Sequence, residues 1–331
     1  MKESVLCAVV GLGPIGAAVA SVVAARPGLE LVSVVEPDAA RRSAFKVAGA
    51  DLVRVASLEE TPPVDVAILC TSSRLSALEP QVLSALSRGA HVVSTCEELA
   101  FPWIANGETA ANLNKEARSR GSVVIGTGIN PGFAMDALPA LLSAAAGPVR
   151  SVVVHRRVAA GTRRGQLQTK IGAGLDVAEF KRRAALGQIG HVGLAESAAL
   201  LAASVGWHVR SVDSEIEPVI AREAVRTEHV SVAPGDVAGL VQQCSVRVEG
   251  REVVQLLLEM SLLIPESQDT ITLTTGDGPL TTVITGLHGD RATAYLTAAA
   301  AETVAELEPG LRTMADLVRL HGWVDDNRAA S

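Results

Sequence analysis

Glu97 and Glu98 stand together in HVVSTCEELAFPW (His91–Trp103), where strand-forming residues run into two adjacent acids and a Phe-Pro-Trp corner. A carboxylate at the end of a buried strand, walled by Phe101, Trp103 and Phe133, would lose part of its hydration, and its pKa would rise. Such a group can serve as a general base for an ammonium or a water near neutral pH. The acids are expected on a strand exit, where consecutive side chains point to opposite faces, so at most one of them turns inward. The plain alternative is a helix-start acid pair beside Pro102.

A second constellation lies near the start. Gly11-Leu12-Gly13-Pro14-Ile15-Gly16 is a GxGxxG between a strand and a helix. Gly11 permits a tight turn, Gly13 lets the backbone approach a pyrophosphate, and Gly16 lets the helix lie close to the strand. Amides at the helix start, with Pro14 and Ile15 in its first turn, would point at the phosphates. Glu36 ends the next strand, 20 residues after Gly16, where an acid hydrogen-bonds an adenosine ribose. A 2′-phosphate there would meet like charge, up to about 4 kcal/mol at 4 Å. Glu36 therefore argues for NAD(H), while Arg41 and Arg42 are close enough in sequence to reach a phosphate and keep NADP(H) open.

These residues need a frame. The first 130 residues alternate strand and helix: strands at Val5–Val10, Leu31–Val35, Leu52–Val55, Val66–Cys70, Val92–Thr95 and Val123–Ile125, with helices between them. Continuous apolar strands separated by helices predict a parallel sheet covered on both faces, and right-handed crossovers make it doubly wound, a Rossmann domain. Ligands then bind outside the carboxyl ends of the strands. Three segments fall on that rim: Thr71-Ser72-Ser73, Thr95 with the two acids, and Gly126–Gly132, which includes Asn130. After Pro131 a helix is expected over Phe133–Ala145, with Phe133 and Met135 as candidates for the substrate side. Alternating segments then dominate, with hairpin turns at Glu249-Gly250-Arg251 and Gly276-Asp277-Gly278. The expected architecture is α/β: a dinucleotide-binding domain over 1–135, an α+β domain with a largely antiparallel sheet over 136–290, and a C-terminal helix (291–331) packing back on the first domain. The exposed face of such a sheet is a natural dimer surface.

Composition bounds the partners. The chain has 331 residues, 48% of them hydrophobic but only 2% aromatic, so its core is built from Ala, Val and Leu. A net charge of -7 without a basic stripe argues against nucleic acid. The apolar runs are too short to span a bilayer, and no signal-peptide pattern opens the sequence. Cys7, Cys70, Cys96 and Cys244 lack metal-ligand spacing and read as reduced thiols of a cytoplasmic protein.

The segments CEELAFPW, VIGTGINPGF, KIGAGL, GHVGLAES, PGDVAG and EPGLRTMADL together resemble the 2,4-diaminopentanoate dehydrogenases and related native amine dehydrogenases, whose N-terminal domain is similar to that of dihydrodipicolinate reductases. The resemblance covers nearly the whole chain. It implies NAD(P)H-dependent reductive amination of a small ketone or aldehyde with ammonia, the reverse oxidative deamination, a homodimer and no metal. It also implies that the acid–base group is a glutamate of the Glu97-Glu98 pair, with Glu97 ranked first, and that His191 lines the substrate pocket. Arg156 or Arg157 and the glycine-flanked Lys170 are further candidates for substrate contact. A dihydrodipicolinate-type reductase lacks support, because the second domain has no His-His followed by Lys and a Ser-Gly-Thr loop. A non-catalytic NAD(P) sensor would have little use for an acid at the rim.

Overall fold

A computed structural model describes residues 4–47 and 52–317, and the backbone of 323–324. The chain divides into two units: Met1–Ala137 with His288–Arg319, and Leu138–Leu287 with Leu320–Ser331.

The first unit begins with β1 (Val5–Val10), α1 (Pro14–Ala25), β2 (Leu29–Val35), α2 (Ala39–Ala44) and β3 (Val53–Val55). It continues with β4 (Val66–Leu69), α3 (Leu75–Ser87), β5 (His91–Ser94), α4 (Gly107–Ser119) and β6 (Val123–Gly126). Strands β3, β2, β1, β4, β5 and β6 lie side by side in that order, all parallel. The apolar strands are buried because alternate residues feed two cores. Cys7, Val9, Ile68 and Val93 pack with Val19 and Val23 of α1 on one face. Val10, Leu69, Val92 and Val124 pack with Leu78 and Val82 of α3 and Leu113 of α4 on the other.

The second unit holds α5 (Ala137–Ser143, starting at the unit boundary), β7 (Pro148–Ala159), α6 (Gly165–Lys170), α7 (Val177–Ala185) and α8 (Leu194–Val205). A sheet-rich stretch comes next: β8 (Asp213–Ile220), the small β9–β10 hairpin (Val225–Arg226, Ser231–Val232), β11 (Val237–Val248), β12 (Arg251–Ser261), β13 (Gln268–Thr275) and β14 (Gly278–Thr285). The main sheet runs β14-β13-β7-β12-β11-β8, antiparallel except for β7 beside β12. Glu249 and Gly250, at φ 51 and 78, make the two-residue turn between β11 and β12.

The chain then returns to the first unit as α9 (Gly289–Thr303) and β15 (Gly310–Arg312). Ala294, Ala298 and Ala301 of α9 join the α1 core, and Arg26 pairs with Glu302 at 2.7 Å. β15 pairs with β6 as a seventh parallel strand, which its three residues do not announce. The short α10 (Met314–Leu317) comes after it, and β16 (Trp323–Val324) pairs with β7. The rest of the expected closing segment, 318–322 and 325–331, lies outside the described residues. Among the described residues no helix is long and apolar enough to cross a membrane, and no group of three His, Cys, Asp or Glu is placed to hold a metal ion.

The helix expected from Phe133 begins only at Ala137. Residues 131–136 form turns instead. The Asp136 carboxylate, fully buried, accepts the Gly132 N–H through both oxygens (3.1 and 2.9 Å) and the Ala137 N–H at 2.6 Å. Those bonds offer the backbone an alternative to the helical ladder. Lys170, expected in a loop, is the last residue of α6.

Candidate active site

The carboxyl ends of β1, β2, β4, β5 and β6 carry most of the chemistry-bearing residues of the first unit. At β1, Gly11 turns at φ +88 and its N–H donates to Val35 O at 2.8 Å. A Cβ on Gly16 would stand 1.8 Å from the Gly11 carbonyl, so α1 can start there only if residue 16 is glycine. A Cβ on Gly13 would meet nothing within 4 Å. Gly13 is the N-cap of α1, with Pro14 and Ile15 next, and N–H groups in a first helical turn have no partner within the helix.

Glu36 is buried at 5% exposure. One carboxylate oxygen accepts the Leu12 N–H at 2.9 Å and lies 3.4 Å from Arg41 Nη1; the other accepts the Asp38 N–H at 3.1 Å. The acid thus sits against the glycine turn, with the half-exposed Arg41 beside it. Arg42 donates to the Glu36 carbonyl. Asp38 caps α2 through the Ala40 and Arg41 amides, which fixes where both arginines start.

At β4, Thr71 touches the glycine turn: its Cγ2 would be 2.9 Å from a Cβ on Gly11. Its hydroxyl bonds Gln81 of α3 at 2.8 Å. Ser72 Oγ accepts the Arg74 N–H at 2.9 Å, and the Ser73 carbonyl accepts the Glu98 N–H at 3.3 Å. These two serines build the corner into α3. Thr95, after β5, donates its N–H to Leu69 O at 3.1 Å and bonds the Cys70 thiol through its side chain.

The two acids are not on a strand exit. Both lie on a single 3₁₀ turn, Glu97–Ala100, so strand alternation does not decide between them. Glu98 accepts from Arg74 Nη1 through one oxygen and from the Leu75 N–H through the other, each at 2.7 Å. It caps α3, whose own N-cap residue, Arg74, supplies no side-chain cap. Glu97 is half-buried on the same turn. Just beyond it Phe101 and Trp103 are in edge-to-face contact, with ring centroids 5.0 Å apart.

After β6, Thr127 donates its N–H to Ser94 O at 2.8 Å. Its Oγ1 is buried with no hydrogen-bond partner among the described residues. Sequence reading passed over this hydroxyl; the signal was a Thr set between two glycines at a strand end. Asn130 is buried (7%) in the same turn. Asp136 holds the turn at Gly132, and Thr293 of α9 holds it by accepting the Ile129 N–H at 3.2 Å. Phe133 is half-buried, whereas Met135 is fully buried and part of the packed interior. The clear space at Gly13, the acid at Glu36 and the buried unsatisfied hydroxyl at Thr127 together fit a dinucleotide lying across these strand ends.

In the second unit the two arginines of β7 part company. Arg156 lies on the face of Val154 and Val158, 4% exposed, and its Nη1 donates to both oxygens of Asp269 at 2.9 Å. Burial works against both charges, pulling Arg156 below its ordinary pKa and pushing Asp269 above its own despite their attraction. Arg157, on the opposite face with His155, donates to Glu259 at 3.1 Å. Arg156 is therefore engaged in an internal ion pair, and Arg157 belongs to the other side of the sheet. Lys170 and His191 come together through backbone: the Gly190 N–H donates to the Lys170 carbonyl at 3.4 Å.

The family model of the 2,4-diaminopentanoate dehydrogenase C-terminal domain matches residues 133–331, more than half of the chain. The chain belongs to the 2,4-diaminopentanoate dehydrogenase family. Residues 5–127 match the oxidoreductase family with an NAD-binding Rossmann fold. A 2,4-diaminopentanoate dehydrogenase from Acetoanaerobium sticklandii is 25% identical, over 95% of this chain and 94% of its own. Among solved structures, the amine dehydrogenase from Mycobacterium smegmatis has a TM-score of 0.78 at 21% identity, covering 95% of this chain and 96% of that one. GenD2 from gentamicin A biosynthesis, in complex with NAD, has a TM-score of 0.57 at 20% identity, with 97% and 92% covered. Both likenesses extend the fold over the whole length. The protein is an NAD(P)-dependent oxidoreductase of this amine-oxidising family.

Proposed function

We propose that the protein oxidises a small amine of the 2,4-diaminopentanoate type and, in reverse, aminates a small ketone or aldehyde with free ammonia, with Glu97 as the acid–base group. The observation that carries the assignment is the Glu97–Ala100 turn at the end of β5, in which Glu98 is taken up as the cap of α3.

When bound, the nicotinamide supplies hydride in amination and accepts it in deamination. Glu97 takes a proton from ammonium, freeing the nitrogen lone pair to add to the carbonyl carbon. The same carboxyl then returns that proton to the carbinolamine hydroxyl, which leaves as water. As the carboxylate it stabilises the iminium cation that remains. In the second unit, His191 and Lys170 are the groups for a polar end of the substrate. Gly11, Gly13, Pro14, Ile15, Gly16, Glu36, Thr71, Thr95, Thr127 and Asn130 hold the dinucleotide, and the Glu36 carboxylate favours NAD(H) over NADP(H).

We further propose a cytoplasmic homodimer. The four cysteines are unpaired, and burial pushes the Cys7 and Cys96 thiols up to about 12, which suits a reducing compartment. The open face of the second unit's sheet carries half-buried Val153 and Leu257 beside the Arg157–Glu259 pair. That mixture suits a second copy of the chain.

The deciding experiment monitors NADH or NADPH oxidation at alkaline pH with small ketones and aldehydes, with and without ammonium, and NAD+ reduction by 2,4-diaminopentanoate. Ammonium-dependent oxidation and turnover of the diamine are expected. Oxidation indifferent to ammonium would make the protein a plain carbonyl reductase and overturn the reading.

A further inference from the structure

Gln242 lies on β11 between residues that share its face of the sheet: Leu240, Cys244 and Val246, all fully buried. Gln242 itself is half-buried, and its amide has partners at both ends. It finds them on one residue. Its Oε1 accepts the His191 N–H at 2.8 Å, and its Nε2 donates to the His191 carbonyl at 3.1 Å. One donor and one acceptor on each side fix the orientation of the amide, and the side chain takes the place of a neighbouring strand.

The segment so held has little stiffness of its own. Gly187, Gly190 and Gly193 all sit at positive φ (67, 116 and 99), conformations that glycine adopts without cost and that leave the direction of the flanking residues open. Gly190 also lies close against the clamp. A Cβ there would stand 3.0 Å from Ile216 Cδ1 and 3.3 Å from Gln242 Oε1. The same residue's N–H reaches the Lys170 carbonyl, so the clamp on His191 bears on the end of α6 as well.

We propose that Gln242 is a positioning residue for amine recognition: through its two hydrogen bonds to the His191 backbone it sets where the imidazole meets the substrate. This rests on the reading of His191 as a substrate contact. Gln242 itself need not touch the substrate. Binding groups lose effect steeply with misplacement, so the clamp acts on the amine's KM before it acts on anything in the nucleotide-binding unit.

The test is a double-mutant cycle with 2,4-diaminopentanoate and NAD+ as substrates. Gln242→Leu keeps the volume and removes both bonds. It is expected to raise the amine KM at least tenfold, with the NAD+ KM unchanged. In a His191→Ala background the same substitution should change the amine KM less than twofold, because no imidazole remains to be placed. Gln242→Glu keeps the acceptor for the His191 N–H but sets an oxygen against its carbonyl. An amine KM between wild type and Gln242→Leu is expected for it, and it stands in if the leucine variant does not fold. Additive effects of Gln242→Leu and His191→Ala would overturn the proposal, as would an equal rise in the NAD+ KM. A wild-type amine KM in Gln242→Leu, beside a raised one in His191→Ala, would overturn it while leaving the role of His191 standing. A wild-type amine KM in His191→Ala would remove that role and the proposal with it.

Discussion

At position 98 one carboxylate oxygen meets the Arg74 guanidinium and the other the Leu75 N–H, a helix cap supplied from a distant segment. Glu98→Gln should therefore cost about 1 kcal/mol of stability and leave kcat nearly unchanged. Glu97→Gln should lower kcat by about 10²–10⁴-fold. Kinetics and thermal melts of the two variants, side by side, check this; matching losses of activity would count against the division of labour. The cofactor acid gives a second test. Glu36→Ala removes the charge facing the glycine turn, and the ratio of kcat/KM for NADP(H) to that for NAD(H) should rise. An unmoved ratio would mean that Glu36 does not read the ribose. The acid pair was visible in the sequence as chemistry, but the engagement of Glu98 with α3 was not. That depends on the 3₁₀ turn and on Arg74, 24 residues away, which no local pattern connects to it. Thr127 was hidden for a similar reason, since only burial without a partner marks its hydroxyl.

Two glycines of one turn have opposite duties at the level of the element. A methyl on Gly16 would collide with the Gly11 carbonyl, whereas one on Gly13 would enter empty space at backbone angles any residue accepts. Gly16→Ala should thus destabilise the protein without its cofactor. Gly13→Ala should melt like wild type yet bind NADH at least tenfold more weakly, because its methyl stands where the pyrophosphate passes. Calorimetric melting and a fluorescence titration of NADH separate the two, and wild-type affinity in Gly13→Ala would move the dinucleotide elsewhere. The parallel strands were legible because each is a continuous apolar run. The segment after Pro131 misled because its composition is helical; the fully buried Asp136, bonded to Gly132 and Ala137, delays the helix. β15 escaped notice because three residues with a charged end carry no periodicity. It is set by pairing with β6 and by Asn114, which accepts the Leu311 N–H at 3.0 Å.

For the molecule as a whole, acid stability has an identifiable contributor. His91 Nδ1 accepts the Val123 N–H at 3.1 Å, a bond that requires an unprotonated ring nitrogen. Burial holds its pKa below the ordinary value of 6.5, with Asp65 opposing. The unfolded chain takes up this proton first, so stability should fall as pH drops through about 6.5 and go on falling until the folded form also protonates. Urea unfolding of wild type and His91→Gln from pH 7.5 to 5 should show the wild type losing ground to the variant; parallel curves would exclude this histidine. The discontinuity of the first unit reaches back to synthesis. Its outermost strand and the alanine-rich helix over α1 come from His288–Arg319, after the whole of Leu138–Leu287. At ribosomal speeds the intervening stretch takes on the order of ten seconds to emerge. Throughout that interval the nascent nucleotide-binding half lacks both the helix that covers α1 and the strand that closes the β6 edge, and the edge stays open until β15 has followed α9 out of the ribosome.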